Sequence, residues 1–110
     1  MSRFVFLFIG LGSQPAAEDA ETAAYNQKWG SWMASLAQEG VLESGLPLES
    51  RALRVTADSV SEVPLATEDI YGYMVVKAES LDAAIELSRQ APHMALGGAT
   101  IVRPCIEIGP

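Results

Sequence analysis

The sequence predicts an α+β fold in which two helices cover one face of an antiparallel sheet. Two runs, Phe4–Ile9 and Ile70–Ala78, are apolar at almost every position, as in central strands that are buried on both faces. Each run is followed by a stretch with apolar residues at helical spacing. The predicted order of strand, helix, strand, hairpin, strand, helix and strand contains two β-α-β units, which are typical of a ferredoxin-like sandwich.

The chain has the length of a single domain, which we assign to residues 1–110. Hydrophobic residues make up 49% of it and charged residues 19%, as in ordinary globular proteins. The net charge of -7 repels a phosphate backbone, and no cluster of Lys and Arg offsets it, so we expect neither nucleic-acid nor membrane binding. No apolar run approaches the roughly 20 residues needed to span a bilayer.

The chain contains one cysteine, Cys105, and one histidine, His93. Neither an intramolecular disulfide nor a zinc-type ligand cluster can be built from one of each, so we expect no metal and no cofactor. A reducing, cytoplasmic setting fits this composition. The basic residue Arg3 before an apolar run resembles a short secretory signal, but its removal would delete the most apolar strand candidate in the chain.

The first strand ends in a glycine-containing segment, and a helix is predicted over residues 17–39. Its apolar stripe consists of positions i, i+4, i+7, i+8 and i+11, namely Tyr25, Trp29, Trp32, Met33 and Leu36. Gly40 follows the stripe and can adopt the left-handed conformation that closes a helix. Gly10 and Gly12, between strand and helix, also suggest a phosphate loop, but the motif lacks its third glycine and its lysine.

The middle of the chain is predicted to be rich in strands. Residues 41–48 form a strand that contains a glycine and a proline, which places it near a sheet edge. Residues 51–63 show short apolar alternation on both sides of Asp58, as in a hairpin. A loop over 64–69 then leads into the second apolar run.

The last part of the chain is predicted to form a helix and a strand. Ser80 is a good N-cap, because its hydroxyl can accept a hydrogen bond from a free amide of the first turn. Pro92 is expected to end this helix. A final strand is predicted over 99–108, and Pro104 within it indicates an edge position.

Both predicted central strands carry apolar side chains on two faces, yet the helices can cover only one face of the sheet. The other face needs a cover that a chain of 110 residues cannot supply. A second copy, packed sheet against sheet, would supply that cover. We therefore predict a homodimer.

Short elements spread over nearly the whole chain resemble the YCII-related proteins, in particular the branch known as DGPF-domain proteins. The elements that carry the resemblance are Trp29, Trp32-Met33, Leu36, Gly40-Val41-Leu42, Gly72-Tyr73, Val75-Val76, Ser80-Leu81-Asp82, Ala84-Ile85, Ala91-Pro92-His93, Gly98 and Val102-Arg103-Pro104. The resemblance implies a ferredoxin-like fold that dimerises into an α+β barrel. It also implies a site in a cleft between the loops of the helices and the sheet.

Two departures from that family affect the expected site. The Asp-Gly-Pro-Phe signature of the branch is replaced by Ala57-Asp58-Ser59-Val60-Ser61, without glycine, proline or phenylalanine. Active, dehydrochlorinase-like relatives pair a histidine on the first helix with an aspartate after the second, whereas the first helix here offers Trp29 and no histidine. Of the family's site residues, only His93 can be assigned in this sequence, because it matches the Pro-His element of the branch.

His93 is the candidate catalytic residue, because imidazole titrates in the physiological range and can act as a general acid or base. Its candidate partners are Asp69, Tyr71, Tyr73 and Arg103. The structural alternative is a histidine that caps the preceding helix through a favourable interaction with the helix dipole.

Trp29, Tyr73 and Arg103 are the candidate ligand contacts. The indole of Trp29 could line an aromatic pocket, although its spacing also fits a core stripe. Arg103 could pair with a substrate carboxylate, although a solvated charge on an edge strand explains it as well. We expect a protein that binds a small molecule in a cleft near His93, with lyase-like acid/base chemistry. The alternative is a non-catalytic ligand-binding or protein-interaction module in which His93 is structural.

Overall fold

The computed structural model describes residues 1–10, 20–49, 51–64 and 70–108, with side chains from residue 23 onwards in the second range. The predicted helix start at residue 17, most of the loop over 64–69, and Asp69 lie outside the described residues. The same holds for the part of the glycine-containing segment that follows Gly10.

The described residues form six strands, two α-helices and one 3-10 turn. The strands are β1 (Ser2–Ile9), β2 (Leu42–Pro47), β3 (Ala52–Val55), β4 (Val60–Val63), β5 (Ile70–Ala78) and β6 (Ala99–Pro104). The helices are α1 (Ala20–Gln38) and α2 (Leu81–Ser88), and the 3-10 turn spans Pro92–Leu96. The main sheet is antiparallel in the order β2-β5-β1-β6, and β3 pairs with β4 in a separate hairpin. These elements confirm the predicted α+β, ferredoxin-like architecture.

The core lies between the sheet and the two helices. It is built from buried side chains of β1, β5, α1 and α2, which include Phe4, Phe6, Phe8, Met74, Val76, Leu36 and Ala84. Because residues from both helices join this cluster, α1 and α2 cover the same face of the sheet, which we call the helix face. Burial of each phenylalanine here contributes on the order of 2 kcal/mol to folding.

The ends of both helices follow from local sequence. Gly40 has φ +75° and its amide donates to the Ala37 carbonyl at 3.1 Å, so it closes α1 as predicted. The Ser80 hydroxyl accepts from the Ala83 amide at 3.1 Å and caps α2, also as predicted. Helix α2 ends at Ser88, four residues before Pro92, so the expectation that Pro92 itself ends the helix is wrong.

The two strands that contain proline lie at the edges of the main sheet, as predicted. Strand β2 pairs only with β5 in the described sheet, and its register shifts between Leu42 and Ser44. Strand β6 ends at Pro104, so the prediction that it extends to residue 108 is wrong. Pro104 has no amide to donate, and the Cys105 amide makes one further bond, to the Arg3 carbonyl at 3.0 Å.

The second face of the sheet, which we call the open face, also carries apolar side chains. Val5 and Leu7 alternate with the buried phenylalanines of β1 and are half-buried. Ile101, opposite Leu7 on β6, is 43% exposed, and Leu46 on β2 is 61% exposed. The sequence predicts that β1 is buried on both faces. Within this chain, β1 is fully buried only on the helix face.

An ion-pair cluster lies at one end of the open face. Arg3 Nε lies 2.6 Å from Glu43 and Arg3 Nη1 lies 2.9 Å from Glu107, while Lys77 Nζ lies 3.5 Å from Glu43. The hydrogen bond from Arg3 lowers the pKa of Glu43. These groups are in contact with solvent, so they contribute little to stability.

The predicted hairpin is present, and it extends away from the main sheet. Its turn is closed by a bond from the Thr56 amide to the Ser59 carbonyl at 2.8 Å, and by a contact of 2.7 Å between the two hydroxyls. Every residue over 51–64 is exposed. No helix among the described residues is long and apolar enough to cross a membrane.

Candidate functional site around His93

His93 lies in the 3-10 turn between α2 and β6. Pro92 is the first residue of the turn, where its fixed φ is favourable and its missing amide is not needed. Gly97 closes the turn in the left-handed conformation with φ +85°, and the Gly98 amide donates to the His93 carbonyl at 2.9 Å. The backbone is thus fixed on both sides of His93.

The imidazole of His93 is attached to β6 through one ring nitrogen. Nε2 lies 2.7 Å from the Ala99 carbonyl oxygen and 3.1 Å from Thr100 Oγ1. Because a carbonyl oxygen can only accept, Nε2 carries the proton in the neutral ring, and Nδ1 keeps its lone pair. The ring therefore does not cap α2, as the structural alternative suggested, but joins the 3-10 turn to β6.

The second ring nitrogen, Nδ1, is buried and has no hydrogen-bond partner among the described residues. His93 as a whole is 5% exposed. Burial lowers the pKa of His93, and the bond to the Ala99 carbonyl opposes that shift only in part. The ring is therefore neutral at pH 7, and Nδ1 has a lone pair that no described residue uses.

Aromatic side chains surround this imidazole. The Trp29 indole stacks on it with ring centroids 5.4 Å apart and an angle of 29° between planes, and the Phe8 ring meets it edge-on at 5.3 Å. Trp32, three residues after Trp29, stands 5.7 Å from it in a T-shaped contact. The Trp32 Nε1 group donates to Gln90 Oε1 at 3.0 Å, which ties α1 to the end of α2.

Two glycines allow the backbone to approach the ring closely. A Cβ atom at Gly98 would lie 2.5 Å from His93 Cδ2 and 2.9 Å from the His93 carbonyl oxygen. A Cβ atom at Gly10 would lie 3.0 Å from the Cα of Gly98. The end of β1 and the segment before β6 can therefore pass beside His93 only because both positions lack a side chain.

The structure brings one of the predicted ligand contacts to His93 and separates the other two from it. Trp29 stacks on the imidazole on the helix face. Tyr73 is paired with Leu7, and Arg103 with Val5, so both lie on the open face across the sheet. Neither is a hydrogen-bond partner of His93.

The nearest groups to His93 include three that sequence reasoning missed: Phe8, Thr100 and the Ala99 carbonyl. Thr100 could have been found from the alternation of β6, because it shares a face with Val102, which packs on the core. Within the described ranges, no group of three or more His, Cys, Asp and Glu side chains could hold a metal ion.

Comparisons with known proteins agree with this fold. No family model matches the chain, and no curated protein sequence matches it. Among solved structures, the chain is similar to 5-chloro-2-hydroxyhydroquinone dehydrochlorinase (TftG) from Burkholderia phenoliruptrix AC1100, determined in complex with 2,5-dihydroxybenzoquinone. The TM-score is 0.58 and the sequence identity 16%, over 99% of this chain and 96% of the other. The chain therefore shares the α+β fold of that enzyme.

Proposed function

We propose that this chain is a YCII-related protein that binds a small aromatic molecule beside His93, with Nδ1 accepting a hydrogen bond or a proton from a ligand hydroxyl. The observation that carries the proposal is the buried Nδ1 atom, which has no partner in the described part of the chain. A buried acceptor without a partner costs roughly 1–3 kcal/mol, and a ligand donor would remove that cost.

The surroundings of His93 favour a planar, hydroxylated ligand. Trp29 and Phe8 present aromatic surface to the imidazole from two directions, and such surface packs well against another ring. The bonds from Nε2 fix the tautomer and orientation of the base, which general acid/base catalysis requires. The similarity in fold to TftG, whose structure contains 2,5-dihydroxybenzoquinone, supports the same ligand class.

The chemistry that this arrangement could perform is a lyase-like elimination. Nδ1 takes the proton of a ligand hydroxyl, the electron pair moves into the ligand ring, and the protonated imidazole returns that proton to the ring carbon that carries the leaving group. Nδ1 then takes the proton of a second hydroxyl, whose oxygen becomes a carbonyl oxygen as the ring electrons shift and the leaving group departs with its bonding electrons. The neutral state of His93 at pH 7 is the form that can accept the proton. We place the protein in the cytoplasm, as the composition suggests, since it has a single cysteine.

A titration with 2,5-dihydroxybenzoquinone tests the binding step. The ligand is expected to quench the fluorescence of Trp29 and to shift the imidazole signals of His93, which belong to the one histidine in the chain. His93→Gln and Trp29→Leu should each weaken binding at least about tenfold, whereas Lys28→Ala, an exposed change on the same helix, should not. Equal affinity for His93→Gln and the wild type would refute the proposal.

Release of chloride from 5-chloro-2-hydroxyhydroquinone tests the chemical step. Absence of turnover in His93→Gln at substrate concentrations high enough to saturate the weakened site would identify His93 as the base. Binding without turnover in the wild type would support the second candidate, a non-catalytic ligand-binding module. That candidate is favoured by the role of Nε2 in joining the 3-10 turn to β6. Tyr73→Phe and Arg103→Gln in the same titration test whether the open face contributes to binding.

A further inference from the structure

The two groups that hold His93 Nε2 differ in what they can do with its proton. The Ala99 carbonyl oxygen, at 2.7 Å, can only accept a hydrogen bond. The Thr100 hydroxyl, at 3.1 Å, can accept a bond from a protonated Nε2 or donate one to an unprotonated Nε2. Of these two groups, only Thr100 can therefore stay hydrogen-bonded to Nε2 after that nitrogen has given up its proton.

The elimination proposed above leaves a proton on the imidazole. The second hydroxyl proton is on Nδ1 when the leaving group departs, so His93 ends the reaction as a charged imidazolium. This charge is costly to keep, because His93 is 5% exposed and burial disfavours the charged ring. The product still covers Nδ1 at that moment. The proton can leave with the product in place only from the other ring nitrogen, Nε2.

The position of Thr100 in the sheet gives Nε2 a route to solvent. Thr100 lies on β6, opposite Phe8 of β1, and β6 pairs with β1 alone in the described sheet. No described strand lies beside the outer edge of β6, so water can reach that edge. Thr100 is half-buried, and its neighbour Ala99 is exposed. The hydroxyl thus connects a buried ring nitrogen with a strand that is in contact with water.

We propose that Thr100 relays the Nε2 proton of His93 to solvent while a ligand covers Nδ1, an inference that rests on the proposed function. The Nε2–H bond breaks as the Thr100 oxygen takes that proton, and the former hydroxyl proton of Thr100 passes to water. The ring is left neutral with its proton on Nδ1, and the Thr100 hydroxyl donates to Nε2. After the product leaves, Nδ1 gives its proton to water, and the same path in reverse returns a proton to Nε2.

Thr100 acts through His93 and is a positioning residue, so its test follows the imidazole itself. The exchange of the Nε2 proton with water is measured by NMR of the isotope-labelled full chain, without ligand and with 2,5-dihydroxybenzoquinone. Thr100→Val keeps the shape of the side chain but removes the hydroxyl, and it should slow this exchange about tenfold in both states. Thr100→Ser restores the hydroxyl and should restore most of the rate.

Two controls separate the relay from a structural role of Thr100. Thr56→Val makes the same chemical change in the exposed hairpin turn and should leave the exchange rate unchanged. The Gly98 amide donates to the His93 carbonyl at 2.9 Å, so its exchange reports opening of the 3-10 turn. That amide should exchange equally in the wild type and in Thr100→Val. A Nε2 proton that exchanges as fast in Thr100→Val as in the wild type would overturn the relay, as would one that always exchanges at the rate of the Gly98 amide.

Chloride release from 5-chloro-2-hydroxyhydroquinone gives a second readout. Thr100→Val should lower kcat about tenfold with KM unchanged, and Thr100→Ser should recover it. Exchange that depends on Thr100 in a chain that does not bind the quinone would support the relay while the proposed function fails. Binding of the quinone together with exchange that is independent of Thr100 would overturn the relay alone.

Discussion

Replacement of Gly98 by alanine should displace the His93 ring and destabilise the protein. The new Cβ atom would lie 2.5 Å from His93 Cδ2, whereas carbon atoms in contact stay about 3.5–4.0 Å apart, so the ring must retreat by roughly 1 Å. Such a retreat breaks the bond of 2.7 Å from Nε2 to the Ala99 carbonyl. Loss of that bond costs about 1 kcal/mol and overpacking about 1–3 kcal/mol. We therefore expect a loss of about 2–4 kcal/mol in the free energy of unfolding.

The assay is urea unfolding of Gly98→Ala beside Gly30→Ala as a matched control. Gly30 lies in α1, and a Cβ atom there meets nothing within 4 Å, so alanine should stabilise the protein by about 0.5–1 kcal/mol. In a His93→Ala background, the part of the Gly98→Ala penalty that comes from the ring should vanish. A Gly98→Ala protein that is as stable as the wild type, with unaltered imidazole signals, would refute the close approach of these two residues.

Three further predictions concern His93 and the helix cap. The NMR titration of the single histidine should give a pKa below the usual value of about 6.5, because burial disfavours the charged ring; a value above it would contradict the buried position. Since the unfolded chain binds this proton more readily, the contribution of His93 is complete above about pH 6.5 and is lost as the pH falls towards the lower pKa of the folded state. The stability of the wild type relative to His93→Gln should decline over that interval, and a difference independent of pH would exclude the linkage. Ser80→Ala should cost about 1 kcal/mol in urea unfolding through loss of the bond to the Ala83 amide, and no cost would show that the cap is unimportant.

The architecture could be read from the sequence because each element carries a local signal. The alternation and apolar runs identify the central strands, Gly40 and Ser80 mark helix ends, and the proline in β6 indicates an edge. The end of β6 could not be placed, because it depends on how far the strand stays paired with β1, and the residues after Pro104 carry no local signal for that.

The site was less predictable than the fold because its geometry depends on register. The sequence predicts that His93 and Trp29 belong to one site, and the structure stacks them. It also predicts Tyr73 and Arg103 there, yet a strand sends successive side chains to opposite faces, and only the pairing with β1 shows which face each residue occupies. The role of the Ala99 carbonyl could not be predicted, since backbone acceptors have no sequence signature.

The contact between Gly10 and Gly98 connects two parts of the chain that are far apart in sequence. Their backbones nearly touch, and Gly98 in turn touches the His93 ring. We therefore expect a displacement at the end of β1 to reach the imidazole, because no side chain lies between these backbones to absorb it. The histidine should then report the position of residue 10. Its NMR signals should respond to any event that moves the end of β1, including one that takes place on the opposite face of the sheet.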